Sequence, residues 1–133
     1  MSAASDLAQQ WLAKAKNDLL NADNNLNAKQ IPLDTVCFHC QQAAEKLLKA
    51  FLVGNGCSYS FTHDLLLLLH QVLPIHAEAE KLRDALSLLM PYAVEIRYPD
   101  DTSTPAEEDA REARAAAEEV MVWLREALPE IVA

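Results

Sequence analysis

The chain has 133 residues, among them 22 Ala and 21 Leu but only two Gly, and its formal net charge is −9. Because Ala and Leu favour helices while β-branched residues favour strands, this composition predicts an all-α fold in one domain, residues 1–133, and excludes sandwiches, barrels and Gly-rich phosphate-loop enzymes. A general nucleic-acid binder usually has a basic surface, so any contact of this acidic chain with nucleic acid must be local.

The first half of the sequence predicts two long helices. Ser5 can cap the first, which runs to about Ala28, and Asp34 can cap the second, which runs to about Val53. Both carry apolar residues at steps of three and four, the spacing of one buried helix face. In the first helix this stripe is Leu7, Trp11, Ala15, Leu19, Ala22 and Leu26. In the second helix it is Val36, Cys40, Ala43, Leu47 and Phe51.

Shorter helices are predicted in the middle of the chain. Thr62 can cap a third helix over residues 63–73, which is apolar nearly all round and should lie in the core. A fourth helix is predicted over residues 76–89. Pro91 falls inside its pattern and should interrupt it before the helix resumes over residues 92–96.

The last helix has a clear start signal. Thr104, Pro105 and Glu107 form a capping-box pattern with Pro at the first helical position, and the helix runs to about Leu128. Its inner stripe is Ala113, Ala117, Val120 or Met121, and Leu124. Residues 100–130 hold ten acids against three bases, which we interpret as a solvated face that keeps the protein soluble. Together the elements predict an up-and-down bundle of four to five helices, with consecutive helices antiparallel.

A polar stripe on the second helix is the first candidate site. It consists of His39, Gln42, Lys46 and Lys49, which the spacing of three, four and three places on one helix face. Two interpretations remain open. The stripe is either the solvent-exposed side of an otherwise apolar helix, or one wall of a groove that binds an anionic ligand.

A second candidate site lies at the end of the fourth helix. Arg97 stands there beside Tyr98, just before a loop that Pro99 stiffens. Arg can hold a phosphate through two hydrogen bonds, so Arg97 and Tyr98 are candidate ligand-binding residues. The alternative is an ion pair between Arg97 and the neighbouring Asp100 or Asp101.

The cysteines favour reduced thiols over a metal centre. Cys37, His39 and Cys40 could contribute to a metal site together with Cys57 and His63, but only one pair has a short spacing, and it lies in a helix expected to be buried. We therefore predict no metal and no other cofactor. The odd cysteine count, the lack of a signal peptide and the lack of an apolar run long enough to span a membrane predict a cytoplasmic protein without membrane contact.

Four segments resemble a known family. Residues 11–19 resemble an opening helix of the form W-L-x-x-A-x-x-D-L, and residues 37–50 resemble a second helix of the form F-H-x-Q-Q-A-A-E-K-x-L-K-A. Residues 62–65, with the sequence THDL, and residues 97–100, with the sequence RYPD, match two later signatures. On these motifs the chain resembles the higher eukaryotes and prokaryotes nucleotide-binding (HEPN) domain family over roughly residues 7–128.

The resemblance implies a helical bundle that often pairs as a homodimer. It also implies a small prokaryotic protein, often encoded beside a minimal nucleotidyltransferase with which it forms a toxin–antitoxin module. Many members are metal-independent ribonucleases, whose site is an Arg followed four to six residues later by a His and is assembled across the dimer. His39, Gln42, Glu45 and Lys46 fall on motif positions, so the polar stripe could bind a ligand or serve packing and dimer formation.

The sequence departs from the ribonuclease motif at one position. Arg97 matches the motif Arg, but residues 102–104, which cover the expected place of the His, are Thr, Ser and Thr. A hydroxyl group titrates far above neutral pH and does not readily replace an imidazole in proton transfer. His39 or His63 would have to fill this role from another helix.

Three functional hypotheses follow. The leading one is a nucleotide- or RNA-associated homodimer that acts with a minimal nucleotidyltransferase and lacks efficient catalysis, with Arg97 holding a phosphate and Lys46 and His39 as the next candidates. The alternative is a ribonuclease toxin that uses Arg97 with His39 or His63. The third is a structural or adaptor homodimer whose motif residues make packing or dimer contacts.

Overall fold

The structure, a computed structural model, describes residues 2–94 and 104–132, and these residues form helices and turns without a strand. The α-helices in chain order are α1 (Ala3–Leu26), α2 (Leu33–Gly54), α3 (Leu65–Val72), α4 (Arg83–Leu89), α5 (Glu107–Ala127) and α6 (Pro129–Val132). Two 3₁₀ helices, Ala77–Leu82 and Met90–Tyr92, flank α4. The helices pack as a bundle, which confirms the predicted all-α class.

Helix α2 lies at the centre of the bundle between α1 and α5. Helix α1 runs antiparallel to α2, because Asp18 contacts Lys46 whereas Trp11, further back in α1, contacts Lys49. On the other side of α2, Phe51 packs against Trp123 of α5 with ring centroids 4.9 Å apart. A central helix with neighbours on two sides has little surface left for solvent, so its polar side chains must find partners inside the protein.

The buried faces agree with the predicted stripes in α2 and α5 but not fully in α1. Every residue of the predicted α2 stripe is buried, as is every residue of the α5 stripe. In α1 the buried face includes Ala8 and Leu12, whereas Leu7 is exposed and Trp11 lies at its edge. The α1 prediction was wrong at Leu7, whereas Trp11 and Leu26 are partly buried against the core. The small Ala8 takes the buried place because it lets α1 and α2 approach closely: its Cβ lies only 3.4 Å from the position that a Cβ on Gly54 would take.

Several predicted helix caps were wrong by a few residues. Ser2, not Ser5, caps α1 and accepts a hydrogen bond from the Ser5 amide. Asp64, not Thr62, caps α3 by accepting from the amides of residues 66 and 67. Asp34 lies inside the first turn of α2, where Pro32 occupies the cap position without a side-chain bond. Where several cap-type residues stand close together, only the backbone path decides which oxygen reaches the free amides.

The start of α5 also differs from the predicted capping box. Ala106 occupies the N-cap position and lacks a side-chain acceptor, so Thr104 and Pro105 precede the helix. The carboxylate of Asp109 accepts a hydrogen bond from the Ala106 amide at 2.8 Å, which is the reciprocal half of a capping box. The acidic first turn, including Glu107, also suits the positive end of the helix dipole.

The predicted fourth helix is divided into shorter pieces. Residues 77–82 form a 3₁₀ helix before α4, and Pro91 stands in a second 3₁₀ turn, where the α-helix has ended as predicted. Residues 93 and 94 are not helical, so the predicted resumption is wrong there, and its remainder lies outside the described residues. None of the helices described is long and apolar enough to cross a membrane.

Candidate functional site

The polar stripe of α2 is neither wholly solvent-exposed nor a single surface. His39 and Lys46 turn toward α1, where both contact Asp18. Lys49 turns inward to Glu45, one helical turn earlier on the same helix. The stripe therefore separates into two clusters, each built around one buried carboxylate.

The Asp18 cluster consists of Asp18, His39 and Lys46. The Asp18 side chain is 8% exposed, and its two oxygens accept from different partners. The Nδ1 atom of His39 lies 2.8 Å from Oδ1, and Nζ of Lys46 lies 2.5 Å from Oδ2. An ionised carboxylate can only accept, so Nδ1 donates and Nε2 of the imidazole remains available to accept a proton or a hydrogen bond. The cluster thus holds an imidazole in one orientation beside a cation.

A surface depression lies directly next to the Asp18 cluster. Its volume is about 420 Å³, and it is lined by Ala13, Lys14, Asn17, Asp18 and Lys46. Lys14 and Asn17 are exposed, so their side chains are free to turn toward a ligand. Two ammonium groups against one carboxylate make this depression locally cationic, in a chain whose net charge is −9. Such a site suits an anionic group such as a phosphate, which accepts charge-assisted hydrogen bonds from Lys.

The Glu45 cluster consists of Glu45, Lys49, His63 and Gln41. Oε2 of Glu45 accepts from Nζ of Lys49 at 2.8 Å, and Oε1 lies 2.8 Å from Nδ1 of His63. The Glu45 and Lys49 side chains are only 5% and 8% exposed. The Lys49 ammonium also lies 5.4 Å and 5.2 Å from the ring centroids of Trp11 and Tyr59. This enclosure makes Lys49 a structural residue, because its charge is already paired and shielded from solvent.

The amides of α2 complete the Glu45 cluster. Gln41 donates to the backbone carbonyl of His63 at 3.1 Å and so ties the segment before α3 to α2. Gln42 donates to Oε1 of Gln41 at 2.7 Å, so this candidate ligand-binding residue is engaged by the Glu45 cluster and not by the Asp18 cluster. His63 lies at the outer edge with its side chain 68% exposed.

The structure therefore brings together only some of the candidate residues. His39 and Lys46 share one carboxylate, whereas Gln42 and His63 belong to the other cluster. Arg97 and Tyr98 lie outside the described residues. The residue that sequence reasoning did not single out is Asp18. Its sequence signal was the Asp of the motif W-L-x-x-A-x-x-D-L, directly before Leu19 of the apolar stripe of α1.

The cysteines of α2 are unsuited to hold a metal. Cys37 and Cys40 are fully buried in the core. Burial raises the pKa of the Cys40 thiol from 9.0 to about 12, so it stays protonated at neutral pH, whereas a metal ligand must be a thiolate. Within residues 2–94 and 104–132, no three His, Cys, Asp or Glu side chains are grouped so that they could hold a metal ion.

Comparisons with known proteins agree with this architecture. The HEPN domain family matches residues 8–127, which is most of the chain. The crystal structure of TT1696 from Thermus thermophilus is similar to this fold with a TM-score of 0.78 and 30% sequence identity, and the match covers 91% of this chain and 98% of that one. None of the curated proteins shows significant similarity to this sequence. The matched span, the motifs in α1 and α2 and the shared bundle lead to one conclusion: the chain belongs to the HEPN domain family.

Proposed function

We propose that this HEPN protein binds a nucleotide or RNA through its phosphate groups and acts as a homodimer with a minimal nucleotidyltransferase, as one component of a toxin–antitoxin module, without efficient catalysis of its own. The observation that carries the proposal is the Asp18 cluster beside a cationic depression. It joins motif residues of two helices where a locally positive surface adjoins a held imidazole.

The chemistry of the depression supports a phosphate ligand. Lys46 keeps one ion pair with Asp18, but an ammonium group has three donors, so it can also donate to a phosphate oxygen. Lys14 and Asn17 add a second cation and an amide donor. Nε2 of His39 would add a further hydrogen bond. Arg97 would hold another phosphate oxygen, in the role that the family motif gives to this Arg.

Inefficient catalysis follows from the residues that cover the motif window. Proton transfer at an RNA 2′-hydroxyl needs a group that titrates near neutral pH. Residues 102–104 supply only hydroxyl groups. His39 does carry an imidazole, but it lies in α2 and is bonded to Asp18 of α1, so it does not stand in the motif window.

Calorimetric titration tests this proposal directly. The ligands are ATP, AMP and a short single-stranded RNA, and the variants are Lys46→Ala and Lys16→Ala. Lys16 is an exposed cation of α1 that does not line the depression, so it is a matched control for loss of one positive charge. We expect Lys46→Ala to weaken binding at least about tenfold, the scale of one hydrogen bond to a charged group, and Lys16→Ala to leave it nearly unchanged.

Two results would contradict the proposal. Equal affinities of the two variants would mean that binding depends on charge alone and not on the depression. Absence of binding to every nucleotide, to RNA and to a minimal nucleotidyltransferase would leave the structural or adaptor homodimer. Light scattering on the same samples measures whether the protein is a dimer.

The alternative function is a metal-independent ribonuclease, and one observation favours it. The Asp18 carboxylate orients the His39 imidazole through Nδ1, the arrangement by which acid–base histidines are commonly held. RNA cleavage in the presence of a chelator, by wild type but not by Arg97→Ala or His39→Ala, would establish this alternative. Cleavage that survives His39→Ala but not His63→Ala would assign the base to the Glu45 cluster.

A further inference from the structure

A second surface feature lies on the opposite side of α2, between α4 and α5. Two adjoining depressions of about 520 and 370 Å³ share Lys81, Ala115 and Glu119 and form what we call the α4–α5 groove. Its apolar lining consists of Leu82, Ala85, Leu88, Ala115, Ala116, Val122 and Trp123. Val122 and Leu88 are 42% and 38% exposed, although both are large apolar side chains. An exposed apolar surface with a polar rim is typical of an interaction site.

The rim of the groove is acidic. The carboxylates that line it are Asp84, Glu112, Glu118, Glu119 and Glu126, against the single cation Lys81. Lys81 is already paired with Glu126 at 3.6 Å. Among the ion pairs within the described residues, none includes Asp84, Glu112 or Glu119, so three rim carboxylates have no cationic partner there.

The dimensions of the groove suit a helix. Glu112, Glu119 and Glu126 recur every seven residues along α5, so they follow one side of this helix. At 1.5 Å per residue the row is about 21 Å long, which corresponds to about 14 residues of a second helix lying alongside. Leu88 of α4 and Val122 of α5 project into the groove from its two sides. Side chains in this arrangement can interleave with the apolar stripe of a docked helix.

We infer that the α4–α5 groove is a docking site for a basic amphipathic helix of a partner protein, with an apolar stripe against the groove and Lys or Arg facing the row of glutamates. Charge complementarity carries this choice of occupant. A second copy of the same groove would bring these three unpaired carboxylates against three. The chain's own segment 95–103 contains three acids and one Arg, so it is also poorly matched to this rim. RNA is excluded by the same negative potential.

The test uses model peptides of about 14 residues, the length worked out above. The first has Leu on one face and Lys on the flanks of that face, the second replaces every Lys by Glu, and the third scrambles the first at constant composition. Fluorescence anisotropy with wild-type protein should detect the tightest binding for the first peptide and no binding of the second. We expect the scrambled peptide to bind at least about tenfold more weakly, because helical amphipathicity and charge must coincide.

Variants then locate the binding site. Glu112→Lys together with Glu119→Lys should weaken binding at least about tenfold, because two attractive exposed pairs become repulsive. Val122→Asp should also weaken it. The matched controls are Glu130→Lys and Leu20→Asp, which change an exposed acid and an exposed apolar residue outside the groove and should leave binding unchanged.

The outcomes are distinct from those of the phosphate-binding proposal, since no groove residue lines the depression beside the Asp18 cluster. Equal binding of the first and scrambled peptides, or equal affinity of groove and control variants, would overturn the inference. A lower oligomeric state of Val122→Asp, measured by light scattering, would overturn it in favour of an interface between two copies. Circular dichroism establishes that each variant remains folded.

Discussion

The buried pair between Glu45 and Lys49 allows the sharpest test of the structure. The two groups are 2.8 Å apart, and their side chains are 5% and 8% exposed. Removing one partner of a buried pair typically costs about 3–5 kcal/mol, because the other charge stays buried without compensation. In Glu45→Leu the Lys49 ammonium keeps its contacts with two aromatic rings, worth about 1 kcal/mol, so we expect a loss of about 2–4 kcal/mol.

Replacing both partners should restore most of the stability. The double variant Glu45→Leu/Lys49→Met leaves no buried charge, and such replacements are commonly neutral to within about 1 kcal/mol. Gln41 keeps its bond to the His63 carbonyl, and the exposed His63 ring can bond to water. With Lys49→Met as the second single variant, the cycle should give a coupling energy of at least about 1 kcal/mol, because Glu45→Leu alone costs about 2–4 kcal/mol and the double variant at most about 1 kcal/mol.

Equilibrium denaturation in urea, followed by circular dichroism, measures each free energy of unfolding. The control is Arg111→Met, which removes the cation of an exposed pair with the same i,i+4 spacing and should cost less than about 1 kcal/mol. A Glu45→Leu variant no less stable than this control, with a double variant that regains nothing, would refute the burial and pairing of this cluster.

Four further predictions concern the reactivity of Cys57, the pKa of Cys40, the contact of Arg114 with α1 and the backbone conformation of Gly56. Cys57 should be the first thiol to react with a thiol reagent in the native protein, because Cys37 and Cys40 are fully buried, and Cys57→Ser should remove the fast phase. Because the pKa of Cys40 is raised, the folded state holds the thiol proton more tightly than the unfolded state. The contribution of Cys40 to stability is therefore complete below pH 9.0 and is lost as pH rises toward about 12. Denaturation at several pH values would detect this loss. Arg114 donates to both oxygens of Asp23, at 2.7 and 3.2 Å, and to Glu118 at 3.0 Å, and so joins α1 to α5. Lys cannot reproduce this geometry, so Arg114→Lys should lower the free energy of unfolding by about 1–2 kcal/mol in thermal denaturation. A variant as stable as wild type would contradict this contact. Gly56→Ala should cost about 1 kcal/mol although no residue beyond its two chain neighbours lies within 4 Å of the added carbon, because the φ of Gly56 is +72°. Equal denaturation midpoints would contradict this.

Much of the fold was predictable because hydrophobic spacing in α2 and α5 is unambiguous. Residues such as Leu47 and Leu124 recur with helical period and are buried as predicted. The α1 face was less predictable, since Ala8 forms the tight contact while the larger Leu7 stays outside. Hydrophobicity alone predicts that the larger Leu7 is buried, but close packing of the helices favours the smaller Ala8.

The candidate site was predictable only in part. The spacing of His39 and Lys46 placed them on one face of α2, but their shared partner Asp18 comes from α1, and only the register between the two helices brings it there. The same spacing suggested that Lys49 belonged to their surface. Its inward turn depends on Glu45 and on the rings of Trp11 and Tyr59, which meet only in the folded protein.

A phosphate-bearing ligand should bind at the depression beside the Asp18 cluster. An NMR titration of ¹⁵N-labelled protein with a short single-stranded RNA tests it most directly. We expect saturable shifts centred on Lys14, Asn17 and Lys46, together with the His39 ring, and an RNA that remains intact in the tube. Shifts confined to other helices, or no shifts at any RNA concentration, would contradict it.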